Sequence, residues 1–247
     1  MSLDPINKEL IPFLELYMPP SVPKASSKPF VTLTYAQSLD SRISLGPGIR
    51  TAISDMETKV MTHYLRFHHA GILIGSGTVL ADDPGLNCKW LPSHAGTVPL
   101  NENSPTPIII DPSQKWQFTG SKMHQLFTLG EGKSPIVIVS KEPETREADV
   151  RYVVAVVDAT TGKFDWDLLL TQLKSEFGLD SVMVEGGAYI INELLNRPDI
   201  VDSLVVTVGS TYLGAGGVAV SPAKPMQLDN VNWWKGKRDS VMGATLK

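Results

Sequence analysis

A second cysteine is missing from this sequence: Cys88 stands alone among 247 residues. That excludes an internal disulfide and any zinc site built from several thiolates, and it fits a reducing compartment. A basic excess is missing too. Lysine and arginine number 22 against 26 aspartates and glutamates, a formal net charge of −4 with a pI near 5.7. The sequence-independent phosphate contacts that hold nucleic acid therefore have no electrostatic source. No apolar run approaches the roughly 18–20 residues that cross a bilayer. The first twenty residues set Asp4, Lys8, Glu9 and Glu15 among short apolar pairs, which leaves no continuous apolar stretch for a secretion signal. The expectation is a soluble, cytoplasmic protein with neither nucleic acid nor membrane as partner.

What is present is enough apolar material, 42% of the chain, to bury one large core. Pro19 to Lys28 carries prolines, serines and lysines without periodicity, so it reads as a linker between a short extension (residues 1–28) and a domain at 29–247. Val31, Leu33 and Tyr35 alternate, predicting a strand that ends near Ala36. Ser54 and Glu57 have the spacing of a capping box. The helix beyond them carries Met56, Val60, Tyr64 and Phe67 on one face, with Gly71 as its stop. Ile72 to Ile74 form a short strand that runs into a glycine turn.

Thr106 to Asp111, Ser134 to Ser140 and Arg151 to Asp158 are β-branched runs of the kind buried on both faces, which argues for a parallel or mixed sheet. Asp165 caps a helix through Leu169, Leu173 and Phe177 that Gly178 ends. SVMVEGG then brings a strand into a second glycine turn, followed by a helix over Ala188 to Asn196 and a strand over Asp202 to Val208. Pro92 to Pro105 reads as an exposed loop, and the last 17 residues allow two more strands. The class is α/β.

Two strand-glycine-helix junctions carry the chemistry: ILIGSGTVLADD around residue 76 and VMVEGGAYI around residue 186. Glycines there let a ligand approach the backbone, and free amides at a helix start attract phosphate, so a dinucleotide is one candidate. The GxGxxG spacing fails at both, and two ordinary turns would look the same. Thr78 and Asp82 fall four apart, on one face of a helix beginning near Gly77, where they either hold cofactor groups or simply cap the helix. Glu185 ends a buried strand, where a carboxylate needs a partner or ligand; it is an acid-base candidate, or a carboxylate satisfied by the amides beyond it.

Arg66 and Lys89 flank the first junction and could neutralise a phosphate, or be solvated charges. His63, His68 and His69 lack the spacing of a zinc-binding helix, so no metal is expected. Trp233 and Trp234 read as packing or interface residues. No GxSxG elbow accompanies a His and Asp pair, which disfavours a hydrolase.

Taken together, PFVTLTYAQSLDSRIS, the HYLR closing its helix, ILIGSGTVLADDPGL, and VMVEGGAYIINELL before VDSLVVTV resemble the riboflavin-specific reductase family. The likeness runs from about Pro29 to Gly217, with TVLADDP its most specific part. It is to the stand-alone reductase, because a fused deaminase needs a zinc signature that one cysteine cannot supply. The resemblance implies a dihydrofolate-reductase-like three-layer sandwich around a mixed, largely parallel sheet. It also implies a homodimer and NADPH-dependent reduction of a phosphorylated ribosylamino-pyrimidinone to the ribitylamino product.

Carried over by position, Thr78, Asp82, Thr161, Val184, Glu185, Gly186, Gly187 and Ala188 would bind NADPH. Ala36 would lie on the nicotinamide side, and Arg66, Leu86 and Lys89 would contact substrate, with Glu185 the catalytic group near the reacting sugar. Ser41 stands where many relatives have glycine, and Lys89 where others have arginine; the loop from Gly46 to Ile53 does not align. A pteridine or folate reductase, or a noncatalytic nucleotide-binding protein of the same fold, are the rival readings.

Overall fold

Leu33, Leu73 and Val184 are buried on one face of a sheet, while Ile72, Ile74 and Met183 are buried on the other, so both faces need covering. The computed structural model describes the whole chain except residues 1, 2, 4, 23, 24, 93–98 and 159–162. Its elements in chain order are α1 (Leu10–Glu15), β1 (Phe30–Gln37), β2 (Arg42–Ser44), α2 (Met56–Phe67), β3 (Gly71–Gly75), α3 (Ser76–Asp82), β4 (Thr106–Ile110) and α4 (Lys122–Thr128). The second half adds β5 (Ile136–Val139), β6 (Arg151–Val154), α5 (Trp166–Phe177), β7 (Ser181–Gly186), α6 (Ala188–Leu194), β8 (Ser203–Val208), β9 (Val218–Ala219), β10 (Leu228–Lys235) and β11 (Ser240–Leu246).

Nine strands form one sheet in the order β10-β11-β8-β1-β7-β3-β4-β5-β6. β8 to β6 run parallel, and β11 and β10 add an antiparallel edge. This is the mixed, largely parallel sheet expected, with helices in layers on both sides. Leu169, Leu170 and Leu173 of α5 and Ile190, Ile191 and Leu194 of α6 cover one face. Leu10 and Leu14 of α1, Val60, Met61 and Leu65 of α2 and Met123 of α4 cover the other. From β1 the chain skips a position to β3 and later fills the gap with β7. The strand order reverses there, and ligands in open α/β sheets bind beyond the carboxyl ends of strands at such a point.

Several boundaries differ from expectation. The cap of α2 is Asp55, whose carboxylate accepts from the Glu57 amide at 2.7 Å. Glu57 instead accepts from Asn7 Nδ2 and the Lys237 amide, so no reciprocal capping box with Ser54 forms. α2 ends at Phe67 with His68 as its C-cap, and Gly71 opens β3. β6 is the edge strand, and Val154 is 44% exposed rather than buried on both faces, because only β5 flanks it. α6 stops at Leu194. Asp165 and Gly178 cap α5 as read, and two strands do close the chain.

Residues ahead of the stretch read as a linker share the core of the strands. Leu10, Leu14 and Tyr17 are buried in the core, and the Tyr17 hydroxyl donates to the Asn230 carbonyl at 2.6 Å. A Cβ on Gly243 would overlap the Tyr17 ring, so β11 needs glycine at that position.

Candidate active site

A cleft of about 840 Å³ opens at the reversal point, a volume in the range of small-molecule sites. Four strand ends build its floor. β1 brings Tyr35 and Ala36, the β3-α3 junction brings Gly75 to Thr78, β4 brings Ile110, and the β7-α6 junction brings Glu185, Gly187 and Ala188.

Local sequence explains both junctions. The apolar strands β3 and β7 end in glycines, and Gly75 and Gly187 then stand at the N-caps of α3 and α6 without a side chain to satisfy the first amides. Gly186 has φ of 107°, a conformation open to glycine, and a Cβ there would stand 2.6 Å from Ile191 Cδ1. A Cβ on Gly187 would stand 2.8 Å from Thr78 Oγ1, so only hydrogen fits where the two junctions meet.

Across the cleft floor, Arg66 from the last turn of α2 meets Glu185. Arg66 Nε and Nη2 donate to Glu185 Oε1 at 3.1 and 3.0 Å, and Nη2 donates to Oε2 at 2.9 Å. The side chains are 13% and 21% exposed, so the pair is partly withdrawn from water. Arg66 Nη1 also donates to the Asn87 carbonyl at 3.2 Å. Asp82 lies on the same cleft; burial pushes its carboxyl up from the usual range, and the charge of Arg50 opposes that.

The cleft thus gathers Thr78, Asp82, Glu185, Gly187, Ala188, Arg66 and Ala36, with Gly186 in the strand end beneath. Asp82 is the last residue of α3 and not near its start, because the helix begins at Ser76 and spans only seven residues. Val184 and Leu86 lie outside the lining: each residue is 1% exposed and packed in the core, since β7 alternates and Leu86 turns inward at φ of 51°. Lys89 is exposed and outside the lining, its amide donating to His63 Nδ1 at 3.1 Å. Thr161 lies outside the described residues.

The histidines have structural partners. Buried His69 donates through Nδ1 to the Leu65 carbonyl at 2.7 Å, which leaves Nε2 to accept from Thr32 Oγ1 at 2.8 Å. Trp234 packs in the core and Trp233 is exposed.

Sequence reading missed two cations on the cleft. Arg50 stands in the run Pro47 to Ser54, all of which lines it, and Lys59 lies on α2. Lys59 had a usable signal: it precedes Arg66 by seven residues, two helical turns on one face.

Residues 29–242 match the RibD C-terminal domain family. The chain is 55% identical to the 2,5-diamino-6-ribosylamino-4(3H)-pyrimidinone 5′-phosphate reductase of Saccharomyces cerevisiae, over 100% of this chain and 99% of that one. It is 54% identical to the reductase of the same name from Eremothecium gossypii, over the full length of both. A solved riboflavin biosynthesis reductase of S. cerevisiae superposes with a TM-score of 0.86 at 51% identity, covering 97% of this chain and 100% of that one.

Proposed function

The chain belongs to the RibD C-terminal domain family, and from that premise we propose that it reduces the ribosylamino side chain of 2,5-diamino-6-ribosylamino-4(3H)-pyrimidinone 5′-phosphate to ribitylamino, using NADPH, in riboflavin biosynthesis. One observation carries the reading: the two glycine junctions and the Arg66–Glu185 pair share a single cleft in a chain alike to such reductases along its whole length. The reading includes a homodimer in the cytoplasm. Among the described residues no helix is long and apolar enough to cross a membrane.

The residues present fit a dinucleotide. Two uncapped helix starts supply amides for phosphates, and Gly77, where a Cβ would meet nothing within 4 Å, leaves open space beside them. Thr78 and Asp82 supply a hydroxyl and a carboxylate for ribose or amide groups, and Gly187 lets the backbone come close. When bound, the nicotinamide supplies a hydride to C1′ of the substrate. The residues of this chain do the rest. Ala36, with only a methyl group, leaves room at the end of β1. The strand ends fix the distance between reactants and exclude water. Glu185, oriented by Arg66, keeps lone pairs for the sugar and provides the route, directly or through a water, by which a proton reaches the ring oxygen that opens.

Loss of NADPH absorbance with the phosphorylated ribosylamino-pyrimidinone tests the reading. Turnover of that compound is expected. Reduction of dihydrofolate and not of the pyrimidinone would overturn it in favour of a folate-type reductase. NADPH binding without turnover of either would point to a noncatalytic nucleotide-binding protein.

A further inference from the structure

Three donors converge on the carboxylate of Asp40, in the turn between β1 and β2. The Ser38 hydroxyl and the Leu213 amide donate to Oδ1, the amide at 3.0 Å, and the Gly214 amide donates to Oδ2 at 2.7 Å. The two amides lie 173 and 174 residues further along the chain, so one side chain ties the β1-β2 turn to the segment between β8 and β9. The Ser38 hydroxyl, and after it the Leu213 amide, hold the Asp40 carboxyl down at about 2, so the group is charged throughout the neutral range. Ser38 Oγ also accepts from the Arg42 amide at 3.0 Å, and Ser41 between them sits at φ of 56°, a left-handed conformation uncommon outside glycine.

The segments that Asp40 ties together carry one wall of the cleft. Ile43 and Ser44 of β2 and Val218 of β9 line it, and the chain beyond β2 goes on lining it from Pro47 to Ser54. β2 and β9 form a separate two-stranded sheet of three and two residues, and an isolated ribbon of two strands is marginal in water. It fits closely: a Cβ on Gly217 would stand 2.8 Å from the Ser44 carbonyl oxygen. The β9 end is fastened to α6, where Asn192 Oδ1 accepts from the Ser221 amide at 2.8 Å. Asp40 fastens the turn end. It is outside the cleft lining and outside both core clusters, so its bonds bear on the ribbon rather than on the nine-stranded sheet.

We infer that Asp40 is a positioning residue of the proposed reaction: by clasping the Leu213 and Gly214 amides it holds the β2-β9 wall where cofactor and substrate meet. This rests on the proposed function. The wall belongs to the end of β1, which carries Ala36, whereas the uncapped helix starts that suit phosphates belong to α3 and α6. Loss of the clasp therefore disturbs the alignment of the reactants more than the hold on the cofactor.

The test compares full-length wild type, Asp40→Ala and Asp40→Asn. In Asp40→Ala, kcat with the pyrimidinone phosphate falls roughly 10- to 100-fold, the range for a small misplacement of reacting groups. The dissociation constant for NADPH, from fluorescence titration, changes less than about threefold. The urea midpoint stays near that of wild type. Asp40→Asn, which keeps one acceptor oxygen, falls between the two. Trypsin gives a readout independent of turnover: cleavage after Arg42 and Arg50 is faster in Asp40→Ala. An unchanged kcat or an unchanged cleavage rate in Asp40→Ala, with wild type active, overturns the inference alone. A fall in kcat matched by a lower urea midpoint overturns it too, because the residue would then support the whole domain. A wild type that does not reduce the pyrimidinone overturns the proposed function and the role in turnover, while the cleavage rates still decide whether Asp40 holds the wall.

Discussion

Both carboxylate oxygens of Glu185 are held by the guanidinium of Arg66, at 2.9 to 3.1 Å across 119 residues of sequence. The pair joins the last turn of α2 to the end of β7, so it locks a helix to the sheet at the cleft floor. An acid at the end of a buried strand and a cation on a helix each read as a separate candidate; together they form one unit.

If Glu185 serves the reacting sugar, Glu185→Gln lowers kcat by roughly 10²–10⁴ with a smaller change in KM for NADPH. Arg66→Ala releases the carboxylate and produces a loss of the same order, and the double variant loses little more than either alone. Steady-state kinetics on the three variants decide it. Additive losses would show that the two residues act independently.

Gly187→Ala puts a methyl group 2.8 Å from Thr78 Oγ1. One junction must shift, which costs about 1–3 kcal/mol of stability and weakens NADPH binding by at least about tenfold. Fluorescence titration with NADPH and urea unfolding measure the two effects. Full affinity in a stable Gly187→Ala protein would mean that no cofactor touches that meeting point.

Burial pushes the His69 imidazole down to about 4 from its usual 6.5. The folded protein therefore resists a proton that the unfolded chain accepts. Stability is complete above about pH 6.5 and is lost as pH falls toward 4, with a slope of at most ~1.4 kcal/mol per pH unit from this group. His63, also held down by burial, adds in the same direction. The urea midpoint should drop between about pH 7 and about pH 5, and less steeply in His69→Gln. A flat midpoint in wild type contradicts the assignment of a neutral, buried His69.

Tyr17 is 2% exposed, and its hydroxyl donates to the Asn230 carbonyl while accepting from Asn232 Nδ2. Tyr17→Ala should cost ~3–5 kcal/mol, the range for emptying a buried aromatic site, and Tyr17→Phe only ~1 kcal/mol. Chemical denaturation separates them. Loss of under ~1 kcal/mol in Tyr17→Ala would mean that the Tyr17 ring contributes nothing to the core.

The parts of this fold legible in the sequence are those with a local cause. Continuous β-branched runs mark β4 and β5, and Asp165 and Gly178 mark both ends of α5, because period and cap chemistry act within a few residues. β2 and β9 escaped because they are two or three residues long and exist only through pairing with each other. α1 and α4 are six and seven residues long, and unlike the equally short α3 and α6 neither follows directly on a strand and a glycine turn that would mark its start. At the site, glycines marked the two junctions, but that they touch is a consequence of strand order. Leu86 and Lys89 follow the junction in sequence, yet the turn after α3 carries one into the core and the other to the surface. Direction after a turn is not a local property.

Gly243, which makes room for the Tyr17 ring, belongs to the last strand, while Tyr17 belongs to the first buried segment. On a chain made from its amino end, the aromatic ring waits for its seat until Gly243, 226 residues further along, has been synthesised. β11 and the segment that carries Tyr17 are therefore each other's clasp: trimming β11 would unseat Tyr17, and a nick in either segment should expose the other to protease.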